Sequence, residues 1–320
     1  MKLAGLQTLR GIAANLVVIY HCLAIGLLPK YGLQPEFQSL TFIQNFWSGV
    51  DLFFCISGFV MCYSYLNSNV SGYDFFRARV IRIVPIYWIF TTTVFVISPL
   101  IGSQRDFKWF FQSLFFFVQL DTRLPILAAG WTLQYEMFFY LLFALVLLFL
   151  KKYRFFVLSI LLLISILLQS SHNIILEFIF GGVAYLLSKF SFMTRFRAAI
   201  LCLSVAFYIV SLLILSEKFA TNYRVIFFGI PALFIVASVA NMNMPKYSLQ
   251  TVGGYSYSLY LIHFPLLSIY FKIISFFDLR FFPGWLLIVV AVGSCNLAAF
   301  LTWKYLEEPV TRHLRSRFLN

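Results

Sequence analysis

The sequence predicts an all-α, polytopic integral membrane protein with about ten transmembrane helices and both termini in the cytoplasm. Three observations carry this expectation. The chain of 320 residues is 62% hydrophobic and only 11% charged, whereas an ordinary soluble domain carries roughly 25% charged residues. Its 40 Phe and 18 Tyr are more aromatic surface than a water-soluble core of this size hides. Its basic residues gather in short connections between apolar runs, as a topology signal does. The net charge of +13 therefore speaks of membrane orientation and not of nucleic acid.

A helix needs about 17–25 mostly apolar residues to cross the hydrocarbon. Ten stretches qualify: residues 11–28, 43–66, 83–101, 132–150, 155–171, 173–189, 197–215, 223–240, 255–276 and 284–305. The first has Arg10 at its edge and His21 inside it, with no small-residue cleavage site behind it, so it reads as a retained span. Residues 109–120 are apolar but too short to cross, and read as re-entrant or interfacial. Lys151-Lys152-Tyr153-Arg154 is a tight connection between neighbouring spans. An even count puts both termini on one side. About two thirds of the 24 Lys and Arg fall on that side, which the positive-inside rule assigns to the cytoplasm. Without an internal repeat or low-complexity tract, residues 1–320 read as one transmembrane domain with no appended soluble domain. The five cysteines (Cys22, Cys55, Cys62, Cys202, Cys295) lie in or beside apolar runs, as packing residues do. The four histidines sit on separate segments without ligand spacing, so no metal site is expected.

Ionisable groups inside spans cost roughly 2.5–3.5 kcal/mol on insertion scales and are usually functional. Arg10 and His21 are eleven residues apart, about three helical turns, so they share a face roughly 16 Å apart. The topology puts His21 near the midplane and Asp51 in the outer half of the second span. Glu136 falls near the outer end of the fourth and His263 near the middle of the ninth. Glu177 and His172 read as interfacial. Arg79 and Arg82, at i and i+3, share one helix face, anchor the inner end of the third span and suit phosphates. This is the pattern of an anionic ligand held from the cytoplasm, with acid–base chemistry deeper in. An imidazole takes a proton from a hydroxyl and returns it to a leaving group. A carboxylate orients such a base, and Glu136 and Asp51 are the candidates. Each also has a structural alternative: Asp51 capping the second span, Glu136 meeting water at the interface, His263 hydrogen-bonded at the Phe264-Pro265 kink.

These residues stand in motifs. Leu9-Arg10-Gly11-Ile12-Ala13-Ala14 precedes His21, and Gly49-Val50-Asp51-Leu52-Phe53-Phe54 precedes Ser57-Gly58-Phe59. Then come Arg79-Val80-Ile81-Arg82 with Pro85-Ile86-Tyr87-Trp88, and Trp131-Thr132-Leu133-Gln134-Tyr135-Glu136-Met137-Phe138-Phe139-Tyr140. Ser256-Tyr257-Ser258-Leu259-Tyr260-Leu261-Ile262-His263 and Glu307-Glu308-Pro309 close the series. In this order they resemble the membrane acyltransferase-3 family of sugar O-acylating enzymes, over nearly the whole chain. Within it the chain resembles the stand-alone bacterial exopolysaccharide and O-antigen acetyltransferases, the Trp131 to Tyr140 stretch in particular. Many relatives carry a second acid where Met137 stands.

The resemblance implies a multi-pass protein of the bacterial inner membrane. Acetyl-CoA or another acyl-CoA is the donor, and a hydroxyl of a surface glycan or its lipid-linked precursor is the acceptor. It makes Arg10 and His21 an essential pair and puts Arg79 and Arg82 on the donor side. Arg10, Arg79 and Arg82 are then the donor-binding residues, with the pantetheine arm rising past Gly11, Ala13 and Ala14. His21, Glu136 and Asp51 are the catalytic candidates, with His21 as general base or transient acyl carrier. Trp131, Tyr135, Tyr140 and His263 are the candidates for sugar contact. A proton-coupled transporter or flippase for a glycan or lipid precursor also buries such groups. The paired, broken half-repeats of many transporters are not seen here. A non-catalytic organiser of polysaccharide assembly is the third reading.

Overall fold

The computed structural model describes residues 3–33, 37, 40–101, 105–117, 123–149, 151–167, 173–242 and 248–319. His172 and the basic residues Lys2 and Lys246 lie outside these. Among the described residues every regular element is helical. The helices are α1 (Ala4–Gly26), α2 (Gly49–Tyr65), α3 (Gly72–Ile97), α4 (Phe107–Leu114), α5 (Gly130–Val146), α6 (Arg154–Leu167), α7 (Leu176–Leu187) and α8 (Ser191–Arg195). They continue with α9 (Arg197–Ile214), α10 (Glu217–Asn222), α11 (Ile230–Val239), α12 (Ser248–Gly254), α13 (Ser256–Phe276), α14 (Gly284–Thr302) and α15 (Glu308–Phe318). A 3-10 stretch, Thr41–Ser48, leads into α2. Two π-helical turns, Val225–Gly229 and Trp303–Glu307, lead into α11 and α15.

Each of the ten expected spans holds a helix. Six helices among the described residues are long and apolar enough to cross a membrane: Ala4–Gly26, Phe42–Tyr65, Gly72–Ile97, Arg197–Ile214, Ser256–Phe276 and Gly284–Phe318. The remaining four are shorter: α5 has 17 residues, α6 has 14, and Asn173–Leu187 and Val225–Val239 are apolar but brief. The apolar run at 109–120 yields only α4, eight residues, capped by Asp106, which accepts the Trp109 N–H at 2.6 Å. The outside of the bundle is as apolar as its inside. Leu148, Leu203, Ile214 and Phe276 are exposed, and α9 buries only Tyr208, Ser211 and Leu212. That inversion suits a lipid solvent, and the chain is a multi-pass membrane protein.

Helix α1 lies at the centre, against α2, α12, α13 and α14. Small residues allow the close approaches. A Cβ on Gly11 would overlap the Leu249 carbonyl, and one on Gly58 the Phe178 carbonyl where α2 meets α7. Ala13 and Ala14 are buried in the same helix contacts. The small residues of α1 therefore bring helices together, and the space beside Gly11, Ala13 and Ala14 that the sequence expectation gives to a substrate arm is taken up, among the described residues, by helix contacts.

Arg154 also departs from its expected part as a loop charge. It is buried, and its guanidinium donates to the carbonyls of Leu66, Ser68, Leu147 and Phe149 at 2.9–3.2 Å. It thus closes the open C-terminal ends of α2 and α5 together. Ser71 caps α3 by accepting the Asp74 N–H at 3.0 Å, which sets the start of the helix carrying Arg79 and Arg82. All five cysteines are free thiols.

Candidate active site

One cavity gathers side chains from five separate stretches of sequence. About 840 Å³ of empty space, part of it open to solvent, lies between α1, α2, α3, α5 and α13. Arg10, Arg79 and Arg82 line it together with Glu136 and Tyr140. The rest of the wall is mostly apolar, from Val50, Phe53, Phe54, Ile56, Val60 and Met61 on α2. The topology read from sequence separates Glu136 from the arginines. The structure brings them to one space.

Arg79 is the most enclosed of the three. Its guanidinium lies 5.6–5.8 Å from the ring centres of Tyr65, Phe75 and Tyr140, and it donates to the Tyr65 hydroxyl at 3.0 Å. Its Nε–H has no acceptor among the described residues. Arg82 makes no hydrogen bond or ion pair among the described residues, and Arg10 reaches only Gln7, at 3.5 Å. Glu136 is committed locally: one oxygen accepts from Tyr140 Oη at 2.6 Å and from Ser57 Oγ at 3.3 Å. On the cavity wall three cations face one carboxylate, with Glu307 close enough behind it to act on Arg10 and Arg82; the excess of positive charge and the spare donors suit a multiply charged anion.

His21 is not on this wall. Because α1 begins at Ala4 and not at residue 11, His21 stands roughly 26 Å from the first residue of the helix and roughly 8 Å from its last. It is therefore nearer the end remote from Arg10 than to the middle. Its Nδ1 lies 2.9 Å from the Val17 carbonyl and 3.3 Å from Nε2 of His263. His263 Nδ1 in turn lies 3.2 Å from the Leu259 carbonyl. A carbonyl only accepts, so both rings carry their proton on Nδ1. His263 Nε2 is then an acceptor, His21 Nδ1–H is shared, and His21 Nε2 keeps its lone pair. That nitrogen is a base.

No carboxylate among the described residues touches either ring. The partner that orients His21 is His263, fully buried 242 residues away, and not Glu136 or Asp51. Tyr260 joins the two regions. It lines the cavity, packs on His263 with ring centres 5.6 Å apart, and shares a 2.6 Å hydrogen bond with Thr132. Phe53 packs on its other side at 6.3 Å.

Asp51 belongs to a different cluster. It is fully buried and pairs with Arg224 through two bonds, of 3.1 and 2.8 Å. Trp47 covers the guanidinium at 4.8 Å. Glu177, also fully buried rather than interfacial, interacts with both, and neither of its oxygens has a hydrogen-bond donor among the described residues. Tyr208 donates to the Ser48 carbonyl at 2.8 Å nearby.

Of the expected sugar contacts, Tyr140 lines the arginine cavity. Trp131 and Tyr135 stack edge to face, 6.1 Å apart, off its wall. Sequence reasoning passed over Arg224 and read Ser57 and Tyr260 only as parts of motifs. It read Glu307 only as part of a motif, although this buried acid ends a π turn and accepts from Ser258 Oγ at 2.5 Å. Among the described residues no three or more His, Cys, Asp or Glu gather as a metal site.

An apolar-walled anion cavity beside a half-buried imidazole base, in a multi-pass bundle, suits transfer of an acyl group. A family model described as an acyltransferase domain matches residues 3–304. The chain belongs to this acyltransferase-3 family and is an O-acyltransferase. Over 296 residues it is 29% identical to the exopolysaccharide production protein ExoZ of Rhizobium meliloti (strain 1021), covering 84% of this chain and 91% of that one. It is 28% identical over 141 residues to a putative acetyltransferase, ORF330, of Acidianus two-tailed virus, covering 43% of this chain and 39% of that one. No solved structure matches it significantly. The likeness read from the motifs thus holds at the level of the family.

Proposed function

We propose that this protein is an O-acetyltransferase of the bacterial inner membrane that moves an acetyl group from cytoplasmic acetyl-CoA to a hydroxyl of a surface polysaccharide or its lipid-linked precursor. In this reading the domain crosses the membrane ten times with both termini in the cytoplasm. The observation that carries it is the meeting of Arg10, Arg79 and Arg82 on one apolar-walled cavity. CoA presents several phosphates and a long, weakly polar arm, and the cavity offers cations and an apolar wall to match. The name of the exopolysaccharide production relative supports a glycan as acceptor.

The phosphates dock on the arginines, and the arm runs along α2. The thioester end lies toward Tyr260, the part of the wall that packs on His263. His21 Nε2 removes the proton from the sugar hydroxyl as its oxygen forms a bond to the acyl carbon. The C–S bond breaks, and the imidazolium returns the proton to the departing thiolate. His263 holds the base by accepting from His21 Nδ1–H. Glu136, fixed by Tyr140 and Ser57, tempers the charge around the arginines.

The test follows acetyl-labelled acetyl-CoA into glycan in membranes holding matched amounts of wild type and variants. Wild type transfers label. Losing one charge-assisted contact in Arg82→Gln raises KM for acetyl-CoA about 10- to 100-fold, with kcat largely kept. No label in glycan from well-folded wild type, or an unchanged donor KM in the variant, would sink this reading.

A further inference from the structure

The donor cavity does not include His21, so the acceptor hydroxyl must approach the imidazole from another side. His21 is only partly buried. Besides His263, its ring meets Phe264 at 5.5 Å and its chain neighbour Tyr20 at 5.0 Å between ring centres, both edge to face. Tyr20 is half-buried, and its hydroxyl donates to Oε1 of Glu217 at 3.3 Å. Glu217 is exposed and opens α10. A chain of contacts therefore runs from the exposed Glu217 through Tyr20 to His21, and none of the three lines the arginine cavity.

The position of Glu217 is built from below. Two residues before it, the Leu215 carbonyl accepts from Asn45 Nδ2 at 2.6 Å and from Gln44 Nε2 at 3.4 Å. Asn45 is fully buried and also holds the Leu212 carbonyl at 3.2 Å. The 3-10 stretch carrying Gln44 and Asn45 packs directly on α1. The end of α9 is thereby tied to the helix that bears Tyr20 and His21, and the carboxylate is set beside the phenol by three separate stretches of chain.

We propose that Tyr20 and Glu217 form the acceptor subsite, which grips a neutral sugar ring and presents one of its hydroxyls to His21 Nε2. The inference rests on the acyl-transfer reading above and extends it to the second substrate. A carboxylate accepts from hydroxyls on adjacent carbons of a sugar, and Oε2 of Glu217 makes no bond to any described residue. A phenol supplies an apolar face and a polar tip at once. A neutral polyol fits this pair, whereas an anionic ligand is repelled by Glu217. The two substrates then reach the reacting centre from opposite sides, the anionic donor by way of the arginines and the neutral acceptor by way of the acid.

The experiment uses the purified protein in nanodiscs, with acetyl-CoA as donor and chemically de-O-acetylated exopolysaccharide from the producing cells as acceptor. Glu217→Ala and Tyr20→Phe are expected to raise KM for the polysaccharide about tenfold or more, with KM for acetyl-CoA unchanged. Glu217→Gln, which keeps an accepting oxygen, restores part of the loss, and Lys218→Ala behaves as wild type. An unchanged acceptor KM in both Glu217→Ala and Tyr20→Phe overturns the subsite. So does a loss confined to kcat, or a rise in donor KM alone. Failure of wild type to acetylate the polysaccharide overturns the acyl-transfer reading itself and is told apart by that control.

Discussion

Replacing His21 with alanine lowers acetyl transfer by about 10²- to 10⁴-fold, the usual worth of a positioned general base, and leaves binding of acetyl-CoA intact. The separation of the two regions makes the expectation sharp. The arginine cavity is lined without His21, so deleting the imidazole removes a base and no part of the donor pocket. His263→Phe produces a smaller loss in kcat, because it removes the acceptor for His21 Nδ1–H while the Val17 carbonyl still holds that proton. The measurement is steady-state transfer paired with direct binding of acetyl-CoA to each variant. Equal transfer by wild type and His21→Ala would remove the imidazole from the chemistry. Loss of donor binding in His21→Ala would place that residue in the donor site instead.

Replacing Arg224 with alanine destabilises the protein by about 3–5 kcal/mol, the usual cost of breaking a buried ion pair. The cost of Asp51→Ala is smaller. The asymmetry follows from Glu177. Without Arg224, two fully buried carboxylates, Asp51 and Glu177, remain together with no cation. Without Asp51, Arg224 still has Glu177 to turn to. Asp51→Asn combined with Glu177→Gln and Arg224→Met removes every charge and recovers much of the loss. Thermal unfolding in one detergent ranks the variants. An Asp51→Ala protein as unstable as Arg224→Ala would contradict the argument.

Much of the fold is legible in the sequence because lipid imposes a simple rule: long apolar runs become helices. All ten runs hold one, and boundaries fail where polar residues open a helix. Gln7, Thr8 and Arg10 lie outside the apolar window of the first run, yet α1 already contains them, and His21 moves off centre as a result. The π turns ahead of α11 and α15 leave no trace in hydropathy. Within the site, single residues are legible and their partners are not. Arg10, Arg79, Arg82 and Glu136 stand out because charge inside apolar runs is costly. That Asp51 finds Arg224 across 173 residues, or that His21 finds His263 across 242, depends on how the helices pack. Arg224 reads from sequence as an ordinary charge at the edge of a span, and only the packing of α2, α7 and α9 around it shows otherwise. The roles of Tyr260 and Glu217 escape notice for the same reason, since their meaning lies in their neighbours.

The imidazole pair has an electrical consequence. Moving one elementary charge across 100 mV exchanges about 2.3 kcal/mol with a transmembrane potential. In the tautomers specified by the Val17 and Leu259 carbonyls, with one proton on each Nδ1, His21 and His263 carry no net charge, and no carboxylate accompanies them. A base oriented by an aspartate would place a permanent charge in the field, and its energy would rise and fall with the voltage of the cell. Here the resting pair is silent to that voltage. Only the short-lived imidazolium of the proposed transfer would sense it, so the base itself waits in the same state whether the membrane is energised or discharged.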